Sequence, residues 1–266
     1  MSVTSDYSDG VPHISFHLTT LGGKTLAERE ADTVVYAAST IKLAVLVAAL
    51  REVDAGRLSL DQPVTVRISF PSAAPGAGTF TCEPGEIDEG LPAVGRNMPL
   101  REVLGRMITV SSNEATNMAV DLVGLPSVNT ALEVCGAASS KMERLFGDLA
   151  GLEAGLTQET TATDLATIVC AIVSGRAAGP ESTRLMLEFL RAQEYGIIGP
   201  VLPAGADWGS KSGWVTGIRH DVAFVRPDGS DDGYVLAVCT RACEEESATA
   251  AITALSTMAW DLWEAR

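Results

Sequence analysis

The chain has 266 residues, of which 46% are apolar and 20% charged, the balance of an ordinary soluble globular protein with a substantial core. A formal net charge of −15, with no basic cluster to offset it, repels nucleic-acid phosphates and anionic lipid. No window approaches the run of roughly 18 apolar residues needed to span a bilayer. No nucleic-acid or membrane partner is therefore expected. The polar start MSVTSDYSDG lacks the basic-then-apolar order of an export signal, so a cytoplasmic location is the expectation. Five scattered cysteines (Cys82, Cys135, Cys170, Cys239, Cys243) read as thiols rather than a disulfide framework. Cys239 and Cys243 lack the further ligands of a zinc site, and no metal or cofactor is expected.

In chain order, His13 to Leu18 alternates apolar and polar residues and predicts a half-buried strand, with His13 and His17 on its polar face. Thr33 to Tyr36 predicts a second short strand. Ala38 to Ala55 is apolar almost all round and predicts a buried helix stopped by Gly56. Phe70 to Gly95, rich in Gly and Pro without periodicity, predicts a long functional or mobile loop. Leu100 to Thr109 and Glu114 to Val123 predict helices joined by the turn Val110-Ser111-Ser112-Asn113. Two more helices follow at Thr163 to Ser174 and Glu181 to Ala192. The period then changes to strands at Asp207 to Lys211, Asp221 to Val225 and Tyr234 to Thr240, with Asp228-Gly229 and Asp232-Gly233 marking the last connection. An amphipathic helix closes the pattern at about Glu244 to Glu264.

Strands at both ends and helices between predict an α/β (α+β) architecture. Residues 1–37 and 205–266 form one antiparallel sheet lobe covered by the last helix, residues 38–204 form an all-helical lobe, and a site lies in the cleft between them.

Only four lysines occur, and two fall in contexts that carry chemistry. In Ser39-Thr40-Ile41-Lys42 a hydroxyl and an amine stand one helical turn apart. A serine hydroxyl is a weak nucleophile until a base takes its proton, and a lysine serves as that base only if burial or a second cation lowers its pKa. The apolar run Leu43-Ala44-Val45-Leu46-Val47 makes burial the expectation. Ser-x-x-Lys alone is a weak signal, which an N-cap serine and a surface lysine explain better. Its company distinguishes it: Ser111-Ser112-Asn113 on a turn between helices, and Lys211-Ser212-Gly213 on a strand.

Taken in this order, the three elements resemble the serine β-lactamase and penicillin-binding-protein superfamily, whose pattern is Ser-x-x-Lys, Ser-x-Asn, Lys-Ser/Thr-Gly. The surrounding residues Ala38 to Leu43, Met107 to Asn117 and Gly217-Ile218-Arg219-His220-Asp221 resemble class A β-lactamase segments. The resemblance implies a β-lactamase-like fold and an acyl-enzyme on Ser39. By position it implies Lys42 as proton acceptor or relay, Ser111 as donor to the leaving group, and Asn113 as contact to the substrate amide and to Lys42. Lys211 and Ser212 would meet a substrate carboxylate. The backbone N–H groups of Ser39 and Trp214, beside Gly213, would form an oxyanion hole. Arg219 matches, with a one-residue shift, an arginine that many relatives use for the same carboxylate, and also fits a strand-surface arginine. The implied partner is a small molecule bearing a carboxylate and an amide or ester carbonyl.

The match departs in three places: the deacylation loop, the middle residue Ser112 and the absent export signal. Class A enzymes direct water with a glutamate in a Glu-x-x-Leu-Asn loop. The segment Arg144 to Glu159 lacks that pattern, leaving Asp148 and Glu153 as candidates or as solvated loop charges. Ser112, where class A has aspartate, resembles the peptidase branch as much as the lactamase branch. Four readings stay open: a β-lactamase-type hydrolase with antibiotic-resistance chemistry; a D-Ala-D-Ala-type peptidase, esterase or acyl transferase on the same residues; a binding homologue without turnover; and a Ser-His-Asp hydrolase. The last has only His13, His17 and His220 to draw on and no Gly-x-Ser-x-Gly elbow.

Overall fold

The computed structural model describes residues 6–83, 87–227 and 231–266. In chain order its strands and helices are β1 (His13–Thr20), β2 (Thr25–Arg29), β3 (Val35–Tyr36), α1 (Lys42–Asp54), β4 (Pro63–Thr65), β5 (Ser69–Pro71), β6 (Thr79–Thr81), β7 (Asn97–Pro99), α2 (Leu100–Thr109), α3 (Asn113–Val123), α4 (Leu125–Cys135), β8 (Lys141–Met142), α5 (Leu149–Glu153), β9 (Gln158–Thr160), α6 (Ala162–Val173), α7 (Pro180–Arg191), β10 (Asp207–Val215), β11 (Ile218–Arg226), β12 (Tyr234–Arg241) and α8 (Glu245–Glu264).

The main sheet has the order β10-β11-β12-β1-β2, with every neighbouring pair antiparallel. Its central strands are buried on both faces. Val222 and Phe224 of β11 and Val235, Ala237 and Cys239 of β12 join the larger core, with the helices. Their alternates Ala223, Val225, Leu236 and Val238 join a second cluster with Ile252 and Ala259 of α8. The period of two thus divides one run of apolar residues between two cores. Helix α6 lies against β1, β11 and β12 on the first face, and α8 lies against β11 and β12 on the second.

Helix α1 is the centre of the helical region. Lys42 through Leu50 are all buried, and the helix packs against α2, α3, α4, α6 and α7. The expected helix from Ala38 begins instead as a 3-10 turn over Ala38–Ile41, and the α-helix starts at Lys42. The expected loop from Phe70 to Gly95 contains the hairpin β5–β6, with Phe70 opposite Phe80. The Asp228-Gly229 turn lies outside the described residues. Helix α4 goes beyond the helices expected from the sequence; its Pro126 sits in the first turn, where no intrahelical N–H is needed. No single helix among the described residues is long and apolar enough to cross a membrane.

Replacing Leu46, which has 0% exposure on α1, tests the role of that helix. Leu46→Ala is expected to cost about 2–5 kcal/mol of unfolding free energy, read from urea denaturation with an unchanged slope.

Candidate active site

The turn that carries Ser39 is held by local bonds. Thr40 Oγ1 donates to the Ala37 carbonyl at 2.6 Å, and Ala37 N–H donates to the Gln158 carbonyl of β9 at 2.9 Å. Ala38, at φ 46°, turns the chain through the left-handed region just before the serine. From the other side β10 approaches so closely that a Cβ on Gly213 would lie 2.8 Å from Ser39 N and 2.9 Å from Thr40 N. Glycine is therefore needed at 213, and it brings the Gly213-Trp214 backbone against the serine turn.

Ser111 is a second non-glycine residue in the left-handed region, at φ 58°. This conformation lets one residue present two oxygens to the same amine. Lys42 Nζ donates to the Ser111 carbonyl at 2.6 Å, to Ser111 Oγ at 3.2 Å and to Asn113 Oδ1 at 2.8 Å. Lys211 Nζ donates to the same Ser111 Oγ at 3.1 Å and to the Ser212 carbonyl at 2.6 Å. Ser112 caps α3, its Oγ accepting from Ala115 N–H at 3.2 Å, which fixes Asn113 in the first turn.

Both amines are fully buried. Burial, and then the charge on Lys211, hold the Lys42 amine well below its ordinary pKa, while Glu114 pulls it upward. Burial pushes Lys211 down to about 7, against the pull of Asp221. Asp221 is wholly buried on β11 and accepts from the Ile197 and Ile198 N–H groups at 2.7 and 2.8 Å. Burial raises its carboxyl, against those two bonds and Lys211.

Ser39, Ser111, Asn113 and Trp214 line one cleft of about 1170 Å³, together with Tyr36, Phe80, Glu114, Arg144, Phe146 and Tyr195. Trp214 is 42% exposed and stands edge-on to Tyr195. Ser212 is buried, and its Oγ has no hydrogen-bond partner among the described residues. Arg219 does not line this cleft. Its guanidinium forms an ion pair with Glu245 of α8 and lies over the Trp214 ring. In this arrangement it is a strand-surface arginine one ring away from the site.

The acids offered by the Arg144 to Glu159 segment do not line the cleft either. Asp148 caps α5 and is occupied by Gly151 N–H, Ala73 N–H and Ser72 Oγ. Glu153 is exposed. The group found against Lys42 from this segment is the Phe146 ring, whose centroid is 4.4 Å from Nζ. Phe146 is pinned through its backbone: Asn117 Nδ2 donates to its carbonyl at 2.8 Å, and its N–H donates to Asn117 Oδ1 at 3.0 Å. His220 is neutral and structural. Both ring nitrogens are engaged, with the Tyr36 carbonyl and Thr240 N–H, and burial pushes its pKa down to about 4. Its neighbour Asp221 serves Ile197 and Ile198, so no Ser-His-Asp relay forms.

Sequence reasoning missed Phe146, Asn117, Asp221 and Glu114. Only Asn117 carried a readable signal, since it stands four residues after Asn113 and so on the same helix face.

Two buried amines thus meet at one hydroxyl, beside a serine turn that a sheet edge touches. The chain belongs to the β-lactamase enzyme family, whose model matches residues 3–263. A β-lactamase from Rhodobacter capsulatus is 30% identical over 198 residues, 72% of this chain, and the chain spans only 62% of that relative's length. Among solved structures, a β-lactamase from Sphaerobacter thermophilus is 28% identical with a TM-score of 0.77, covering 93% of this chain and 90% of that one. The structure of PBP-A is 26% identical with a TM-score of 0.79, covering 96% and 91%. A PBP-A mutant in an acyl-enzyme complex with penicillin G is equally similar in sequence, at 26% identity, with a TM-score of 0.78 and coverage of 96% and 91%.

The Lys211 shift has a direct consequence. The amine is a cation below about pH 7 and neutral above it. The second-order rate of acylation by a carboxylate-bearing donor is therefore expected to fall as pH rises through that value, whereas an uncharged ester donor shows no such fall. Rapid-quench pH profiles with both donors check this. An equal decline with the neutral ester would assign the alkaline limb to another group.

Proposed function

We propose that this protein is a serine hydrolase that forms an acyl-enzyme on Ser39 with a β-lactam or a related amide or ester, and that it releases the penicilloyl group slowly. The observation that carries the reading is the junction at Ser111 Oγ, which receives both Lys42 Nζ and Lys211 Nζ on the cleft that Ser39 lines.

In the proposed step Ser39 Oγ attacks the carbonyl carbon, and its proton passes to the neutral Lys42 amine. The backbone N–H groups of Ser39 and Trp214 hold the developing oxyanion; one such donor is worth on the order of 3 kcal/mol. The bond from the carbonyl carbon to the leaving nitrogen or oxygen then breaks. Ser111 Oγ gives its proton to that atom and is reprotonated from Lys42, which returns the amine to its neutral form. Lys211 and the unpartnered Ser212 hydroxyl meet the substrate carboxylate.

Slow release follows from Phe146. Deacylation needs a base that takes a proton from water, and an apolar ring packs against Lys42 where the loop approaches the cleft. The similarity to PBP-A, a mutant of which is seen as an acyl-enzyme with penicillin G, supports a penicillin-binding reading beside the β-lactamase one. The same residues would serve a D-Ala-D-Ala-type peptide or a small ester.

Two experiments bear on this. Incubated with penicillin G, the wild type is expected to gain the mass of one penicilloyl group, and Ser39→Ala none; an equal adduct on the Ala variant removes Ser39 as nucleophile. Phe146→Glu is expected to shorten the lifetime of the adduct by about tenfold or more. Rapid steady-state hydrolysis of penicillin by the wild type would overturn the slow-release part of the reading.

A further inference from the structure

Glu114 follows the Ser111-Ser112-Asn113 turn and is the second residue of α3. It has 0% exposure, although it borders the cleft. One carboxylate oxygen accepts from Ser112 Oγ at 3.0 Å. The other, Oε1, is buried and has no hydrogen-bond partner among the described residues. An acid buried with one oxygen unsatisfied is costly, and a capping role does not require it, because Ser112 already caps the helix. Its setting is the base of the proposed acylation. Asn113, the adjacent residue, takes a bond from Lys42 Nζ at 2.8 Å.

We propose that Glu114 is a positioning residue of the acylation step, a buried carboxylate at the start of α3 that governs the charge carried by Lys42. The proposal rests on the reading of Lys42 as the base for Ser39. Lys42 donates to three acceptors at once, which is the hydrogen-bonding demand of an ammonium. Burial and the nearby Lys211 drive the amine toward its neutral form, and Glu114 is the charge that opposes them. The charge on Lys42 is then set by burial and Lys211 on one side and Glu114 on the other, and a rise in pH frees the amine to accept the Ser39 proton.

The other charged groups around this point are accounted for. Lys211 of β10 has Asp221 of β11 behind it. Asp88, from the loop before α2, is paired with Arg106 of α2. Burial raises the Asp88 carboxyl, but bonds from Arg106, Gly90 and Ser112 overcome this and hold it below its usual value. Arg144 donates to backbone carbonyls and to the Tyr36 hydroxyl of β3. Asp164 of α6 is bonded to Ser139 and Ser140. Glu133 of α4 and Glu181 and Glu188 of α7 are exposed.

The test uses the full chain labelled with ¹³Cε-lysine. Four lysines make the spectrum assignable, Lys42 being identified by its loss in Lys42→Arg. The Lys42 signal is titrated in the wild type, in the isosteric Glu114→Gln, in the smaller neutral Glu114→Ser and in the charge-keeping Glu114→Asp. The acylation rate by penicillin G is measured across the same pH range. The neutral variants are expected to move the Lys42 titration, and the acid limb of the acylation profile, downward by on the order of one pH unit. Glu114→Asp should keep both near the wild type. An unmoved Lys42 titration in a folded neutral variant overturns the proposal, even if acylation slows. So does a failure of both neutral variants to fold, which would make the residue structural. If the wild type shows no acylation at all, the proposed function fails while the lysine titration still decides the role of Glu114.

Discussion

Placing two amines inside one folded chain, both directed at a single hydroxyl, is the constraint on which this site depends. Two like charges in a poorly polarisable interior cannot both be kept cheaply. The structure resolves this by giving the two lysines different surroundings. Lys211 has Asp221 behind it, itself anchored by two backbone N–H groups, and Lys42 bonds to neutral oxygens and lies against an aromatic ring, with Glu114 as the nearby acid. The asymmetry fits the proposed division of roles between a cation that attracts an anion and an amine that accepts a proton.

The scaffold that imposes this is the helix that fills the core. Nine consecutive residues of α1 are buried, and the first of them is Lys42. The hydrophobic packing that orders the helix thus also desolvates the amine at its N-terminal end. Two left-handed residues, Ala38 and Ser111, aim the groups around it, each at a backbone cost of roughly 1–2 kcal/mol that the packed surroundings must offset.

Much of this was legible in the sequence. The family match over residues 3–263 and the neighbouring solved folds agree with the fold read from three short motifs. Alternation marked the outer strands, and the wholly apolar run after Lys42 marked the buried helix. Elements of two or three residues, such as β8 and β9, carry no periodicity to read, and their pairing is decided by tertiary contacts. The contacts that tune the site were equally hidden. Asp221 acts on Lys211 across neighbouring strands, and Phe146 reaches Lys42 through Asn117 on another helix. The pairing of Arg219 with Glu245 was invisible because the partner lies on α8, far along the chain. Each depends on which residues meet, which spacing within a motif does not state.

Strand β1 pairs along its full length with β12, His13 opposite Arg241 and Thr20 opposite Tyr234. Nearly all of the chain must emerge from the ribosome before that central seam of the sheet can close. Until then β1 has β2 on one edge and bare backbone on the other, an invitation to intermolecular pairing. Such remote partners imply slow folding, on the millisecond-to-second scale or longer. The helices between them can collapse first, so chaperone dependence during synthesis should track the wait for β12 rather than the assembly of the helical core.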